Sequence, residues 1–329
     1  MGDVSRWGMP FIGEGAALLA AFLWAAATLM FGKLGRQLSP LVLNWAKGIV
    51  AIALISLTLL LQTRLFQAGA SQPALPVLSV VYLLISGGLG IGLGDTAYFS
   101  AINMLGARRA LLLETLAPPM TAVLAWIFLA EQLSSVAMLG IFLTLGGIAW
   151  VTGERVPGGE PPKMGLGIVV SLLATFCQAA GAVLSRAALA ETAVSPLWSS
   201  LIRLFAGLAF MTCLVCLRPQ YLEPMGSTES APGGYRPWRE SLGRVWVTLK
   251  SPRLLAGVVI AAFFATYLGI WLQQISLKYT AAGIAQALLA TSPLFILPMA
   301  ALLGERISQR AIWGVAAALA GVWLLLLSK

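Results

Sequence analysis

An all-α polytopic membrane protein of ten transmembrane helices, built as two inverted five-helix repeats, is the fold class that three features of the sequence predict. Of 329 residues, 59% are hydrophobic and only 10% charged, against about 25% charged in a soluble domain. The chain divides into ten apolar runs, most of them near the roughly 20 residues a helix needs to cross the hydrocarbon core. Its two halves also repeat one another. A shift of 174 residues sets Ala107, Pro119, Leu129, Glu131, Gly140, Leu145 and Gly147 on Ala281, Pro293, Leu303, Glu305, Gly314, Leu319 and Gly321 without a gap. A shift of 156 sets Ser39-Pro40-Leu41 on Ser195-Pro196-Leu197 and Lys47 on Arg203, and the 18-residue difference is extra connector in the second half. An odd-span unit duplicated within one chain inserts its second copy upside down. That construction is common in secondary transporters, whose halves rock about a site near the midplane.

In chain order the first half offers Ile12 to Gly32, Leu41 to Leu61, Leu75 to Met104, Ala107 to Leu129 and Val136 to Val151. The second offers Leu166 to Leu189, Pro196 to Leu217, Leu254 to Leu277, Ala281 to Leu303 and Ile312 to Leu327. These are runs 1 to 10 below. They place one repeat at residues 12–152, a Gly- and Pro-rich linker at 153–164, and the second repeat at 165–328. Ala25-Ala26-Ala27 in run 1 resembles the small-residue site of a cleaved leader, but the matching run 6 is internal, so run 1 reads as a span. The long connector at 218–253 carries Trp238, Leu242, Val245, Trp246 and Leu249 among charged residues. That spacing marks one apolar face of a short helix lying on the membrane surface.

Composition also excludes functions. The net charge of +9 invites a nucleic-acid partner, but the Lys and Arg sit mostly in connectors, as the positive-inside bias requires. Nucleic acid is therefore not expected as a partner. Lys47 and Arg203 lie inside runs, and Arg6, Arg64, Arg186, Lys278 and Lys329 lie at the side holding both termini. The remaining fourteen of the 21 lie on the opposite side, which puts both termini outside the cytoplasm. There is no histidine, so His-containing zinc, haem and Ser-His-Asp sites are ruled out, and neither cofactor nor metal is expected. Cys177, Cys213 and Cys216 all fall within apolar runs and indicate no disulfide framework. The Cys213 and Cys216 spacing in a helix at lipid depth carries no redox reading. No ATP-binding motif is present, so a primary pump is not expected.

The informative residues are the ionisable ones in apolar runs: Glu14, Lys47, Asp95, Glu114 and Arg203. Each costs roughly 2.5–3.5 kcal/mol at mid-helix, and such residues usually face a cavity and mark a pathway. Asp95 follows a glycine-rich stretch, Gly87 to Gly94, where backbones can approach closely. Tyr98 lies one turn on and can face the same space. Glu114 lies one turn before Pro118-Pro119, which remove backbone donors and break the helix, as Pro293 does in the second half. The repeat mates of Asp95 and Glu114 are Gly269 and Leu288, so the repeat itself does not require acids there. A pairing of Lys47 with a carboxylate is expected, and a weaker one of Arg203 with Glu14 at the opposite side. Structural ion pairing and snorkelling are the plain alternatives for these charges. Gln178, Gln274 and Gln286 are amides within runs 6, 8 and 9, able to bind a ligand's polar groups or a neighbouring helix. Trp24, Tyr267 and Trp271 either line a pocket or pack, and Glu131 and Glu305 end runs 4 and 9 as caps.

The arrangement resembles the EamA family of the drug/metabolite transporter superfamily. The resemblance rests on Pro119 through Ala130-Glu131, Pro293 through Gly304-Glu305, the Gly-containing final runs (Gly140, Gly147; Gly314, Gly321), Trp24, and the cations Lys47 and Arg203. It covers nearly the whole chain. It implies a central cavity lined by runs 1, 3, 4, 6, 8 and 9, with runs 5 and 10 peripheral, and export of amino acids or other small metabolites.

The expected function is therefore secondary-active, proton-coupled export of a small metabolite across the inner or plasma membrane by alternating access, not enzymatic catalysis. Substrate and proton would use Asp95, Glu114, Lys47, Tyr98, Arg203, Glu14, Gln178, Gln274 and Gln286, with helix breaks at Pro118, Pro119 and Pro293. The partners are a small-molecule solute, protons and the lipid bilayer, with a homodimer left open. A flippase for lipid or lipid-linked sugar, an intramembrane enzyme acting on lipid and a channel are the rivals.

Overall fold

Each apolar run becomes helix because its backbone groups have no water to bond with at lipid depth and must pair within the segment. The computed structural model describes residues 11–34, 38, 40–66, 75–152, 164–217, 251–295, 299 and 309–327, and every described element is helical. Runs 1 and 2 form α1 (Ile12–Leu34) and α2 (Pro40–Phe66). Run 3 is one continuous rod of α3 (Val77–Ser86), a π-helical segment π1 (Gly87–Gly94) and α4 (Asp95–Leu105). Run 4 breaks into α5 (Ala107–Glu114) and α6 (Ala117–Leu129), and run 5 is α7 (Ser135–Thr152). In the second half, runs 6 and 7 are α8 (Met164–Leu189) and α9 (Pro196–Leu217). Run 8 is again a rod, of α10 (Pro252–Ala261), π2 (Ala262–Leu268) and α11 (Gly269–Tyr279). Run 9 begins with α12 (Ala282–Leu289), and run 10 is α13 (Gln309–Leu327).

Among the described residues, five helices are long and apolar enough to cross a membrane: Leu41–Arg64, Val77–Leu105, Met164–Leu189, Pro196–Leu217 and Pro252–Tyr279. Five shorter apolar helices accompany them, Ile12–Ala27, Ala117–Leu129, Ser135–Trp150, Ala282–Phe295 and Ile312–Leu327. Large apolar side chains cover the outside, Trp126, Phe128, Trp313 and Trp323 among them. A surface of that kind is stable only against another apolar phase. The surface helix expected at 238–250 and Glu305 lie outside the described residues.

The repeat is visible in three dimensions. The π segments begin one residue apart and end together under the 174-residue shift. Both stretches wind as π turns, and in each a carbonyl bonds a side-chain donor from another helix. The carbonyl of Ile91 in π1 accepts from Asn44 Nδ2 at 2.9 Å. Its repeat mate, the carbonyl of Ala265 in π2, accepts from Trp24 Nε1 at 2.8 Å. The final helices α7 and α13 cross antiparallel through their glycines. A Cβ on Gly140 would meet the Gly321 carbonyl and Leu325, and one on Gly147 would strike the Gly314 carbonyl and Ala318. Each glycine thus faces the repeat mate of the other, the signature of a two-fold axis between inverted halves. Elsewhere the halves interleave: α1 packs on α11, α8 on α4, α9 on π1 and α6 on α12.

Candidate functional site

The cavity between the halves has a volume of about 520 Å³, within the usual range for small-molecule sites. Runs 1, 3, 4, 6, 8 and 9 all contribute to its wall, as do runs 2 and 7, which supply Leu43, Lys47 and Arg203. The wall reaches one end of the bundle at Leu38 and at Asn103, which is exposed. Runs 2 and 7 enter the wall because α2 and α9 pack directly on the two π segments.

Asp95 is held on both oxygens. Lys47 Nζ lies 2.8 Å from Oδ2, and Gln178 Nε2 donates to Oδ1 at 2.8 Å. The Lys47 ammonium also sits 4.9 Å from the centre of the Phe99 ring, a cation–π distance. The glycines before Asp95 let neighbouring helices close in: a Cβ on Gly94 would come within 3.2 Å of Cys177, next to Gln178 on α8. A Cβ on Gly87 would strike the Arg203 backbone, so α9 runs directly against π1. In the second half a Cβ on Gly269, the mate of Asp95, would strike the Trp24 indole nitrogen. One half thus places an acid and its partners where the other places an indole against bare backbone.

Glu114 ends α5. Run 4 breaks over Thr115 and Leu116 just before Pro118 and Pro119, where the Leu116 amide bonds back to the Leu113 carbonyl at 3.1 Å. Run 9 turns at Ala290 and Thr291, where the Thr291 amide bonds to the Leu288 carbonyl at 3.2 Å. The Glu114 carboxylate is far less engaged than that of Asp95. Among the described residues its side chain accepts only a long bond of 3.4 Å from Thr175 Oγ1, a hydroxyl already donating to the Ser171 carbonyl at 2.9 Å. Tyr98, Gln286, Pro118 and Pro293 line the cavity as well.

Arg203 departs from the expectation. It stands two turns into α9, about 10 Å from that helix's start, and reaches the cavity wall instead of the bundle end where α1 begins. It does not pair with Glu14. Its Nη1 donates to Gln273 Oε1 at 3.3 Å. Glu14 is buried one turn into α1, where its neighbour Gly13 packs on Thr280, and it is not part of the cavity wall. Gln274 also lies off the wall, because it points about 100° around the helix from Gln273 and accepts from Ser199 Oγ at 2.7 Å. Pro119 is likewise absent from the wall, although Pro118 is on it.

Sequence reasoning missed Gln273, Thr266 and Asn44. Thr266 and Gln273 line the cavity with Ile270 between them. Their spacing of i, i+4, i+7 is one helical face and was the signal available. It also missed the partner of Glu131. At the end opposite Asn103, Glu131 Oε1 lies 2.6 Å from Arg186 Nε. Glu131 Oε2 accepts from the Ala282 amide at 2.9 Å, capping the start of α12. Arg186 Nη1 donates to the carbonyls of Leu277 and Lys278 at 3.0 and 2.8 Å. These bonds tie the first half to the second over an apolar layer that includes Leu83, Ala125, Leu189 and Leu277.

Fold and cavity together define a multi-pass integral membrane protein of the transporter class, made from an inverted repeat. The chain belongs to the EamA-like transporter family, whose model matches residues 11–153 and again 165–327. It is similar to the uncharacterized protein PA1977 of Pseudomonas aeruginosa, 28% identical over 147 residues. That match spans about half of either protein, 45% of this chain and 48% of the relative. A protein of known crystal structure superimposes with a TM-score of 0.69 at 18% identity, covering 95% of each chain. At that identity the likeness is one of fold.

Proposed function

We propose that the protein is a proton-coupled exporter of a small metabolite such as an amino acid, working by alternating access across the inner or plasma membrane, with all ten runs spanning it. The observation that carries this reading is the engaged and weakly engaged pair of acids in one cavity, Asp95 clamped by Lys47 and Gln178 and Glu114 held, among the described residues, by the long Thr175 bond alone. Glu114 carries the coupling proton. Asp95 with Lys47 forms the ion pair that solute or proton loosens in the cycle. The cavity reaches the end where the α1–α2 and α4–α5 connectors lie, which carries most of the Lys and Arg and faces the cytoplasm by the positive-inside bias. An exporter loads from that side. The Glu131–Arg186–Ala282 latch closes the other end, and its opening is the second half of the cycle.

The test is transport by purified protein in liposomes, using a mixed pool of amino acids and small metabolites with and without an imposed pH gradient. Gradient-dependent movement of one solute class, lost in Glu114→Gln, is the expected result. A protein that moves lipid or lipid-linked sugar and no small solute is instead a flippase.

A further inference from the structure

We infer that Arg203, with the amide of Gln273 beside it, is a built anion subsite that takes a carboxylate or similarly planar acidic group of the transported solute. The inference rests on the transport reading above and specifies what its cavity accepts. Arg203 is 2% exposed and lines the cavity. Its one hydrogen bond among the described residues goes to a neutral oxygen, Gln273 Oε1, and its Nε has no partner. No carboxylate lies within ion-pair distance of it among the described residues: Asp95 is taken by Lys47, and Glu131 by Arg186. The charge of Asp95 is felt at Arg203 without touching it, and a buried cation lacking a contacting counter-charge is costly, so chains that keep one normally supply such a partner.

The surroundings favour a ligand as the source of that counter-charge. Because Gln273 turns its oxygen to Arg203, its amide nitrogen remains a donor. Thr266, on the same helical face and on the cavity wall, has a buried hydroxyl without a partner. The guanidinium lies close against π1 at a residue without a side chain. Gly90 has no side chain, and a Cβ there would come within 3.3 Å of Nη2. Gly87, packed on the Arg203 backbone, fixes where the helix carries it. The second-half wall therefore offers donors and one positive charge, and the first-half wall offers the acids Asp95 and Glu114. Guanidinium is the cation whose planar fork matches a carboxylate in two parallel bonds.

The experiment is binding, so that it reads independently of flux. Thermal midpoints of the purified full chain in detergent are measured with amino acids and small monocarboxylates at millimolar concentration. Each acid is compared with its own carboxamide. The expected result is that at least one acid raises the midpoint while its carboxamide does not. Arg203→Lys and Gln273→Leu should weaken that acid roughly 10- to 100-fold, the range of a charge-assisted pair. The acid-against-amide comparison uses the unaltered protein and stands even where a variant fails to fold. Equal binding of acid and amide, binding unchanged in the folded variants, or no acid binding at all overturns the subsite. Acid binding with no gradient-driven flux keeps the subsite and removes proton-coupled transport instead.

Discussion

Asp95 and Glu114 are both acids in the same wall, yet the structure gives them unlike company, and the roles proposed for them rest on that difference. Asp95 with Lys47 is a largely buried pair, and removing one member leaves the other charge stranded, at a cost of roughly 3 kcal/mol. Asp95→Asn and Lys47→Met are each expected to lower the thermal midpoint of the detergent-purified protein, and the double variant should recover most of the loss. Strictly additive losses would mean that the two side chains do not meet. Of the residues singled out in apolar runs, Asp95, Glu114, Lys47, Tyr98, Gln178, Gln286 and Arg203 line the cavity, whereas Glu14 and Gln274 do not. Sequence reasoning misjudged Arg203 and Glu14 because side of membrane was inferred from nearness to a helix start, whereas α9 carries Arg203 inward to the depth of π1. Gln274 was named and its neighbour Gln273 overlooked, because composition alone does not fix the helical phase. A π segment directly upstream shifts that phase relative to a simple α-helical count.

At the scale of elements, the breaks and the glycine crossings do the positioning. The two prolines after Glu114 were legible as a break, and so was the glycine stretch as a place of close approach. That the stretch winds as a π-helix was not legible, because glycine tolerates α and π turns alike and the choice is made by the carbonyls that Asn44 and Trp24 claim. The glycine crossing of α7 and α13 yields a clean prediction. Gly147→Leu would drive a side chain into the Gly314 carbonyl and Ala318, and overpacking of this kind costs about 1–3 kcal/mol or more. The thermal midpoint is expected to fall, while solute affinity of the folded fraction stays unchanged, since neither helix lines the cavity. Affinity lost in step with stability would show that the peripheral pair shapes the site.

For the whole molecule, the repeat was the feature most completely written in the sequence, and it leads directly to the two-fold arrangement seen at α7 and α13. What the repeat could not tell is which end is shut. In the proposed cycle that closure falls to Glu131, Arg186 and the Ala282 amide, which come from three runs and meet in this structure. Glu131→Gln and Arg186→Gln should therefore weight the molecule toward opening at that end. The check is labelling of a Gln286→Cys variant, in a background without the native cysteines, by a membrane-impermeant thiol reagent from outside. The latch variants are expected to label faster, and equal rates would mean that the contact merely staples two helices. Coupling itself is best read from protons. Solute-loaded liposomes containing the purified protein are diluted into solute-free buffer while a trapped dye reports the pH of the lumen. Acidification of the lumen in step with solute loss, absent in Glu114→Gln, is the result expected of an exporter that exchanges solute for protons at Glu114. Solute loss with no change in lumenal pH, or acidification that persists in Glu114→Gln, would contradict it.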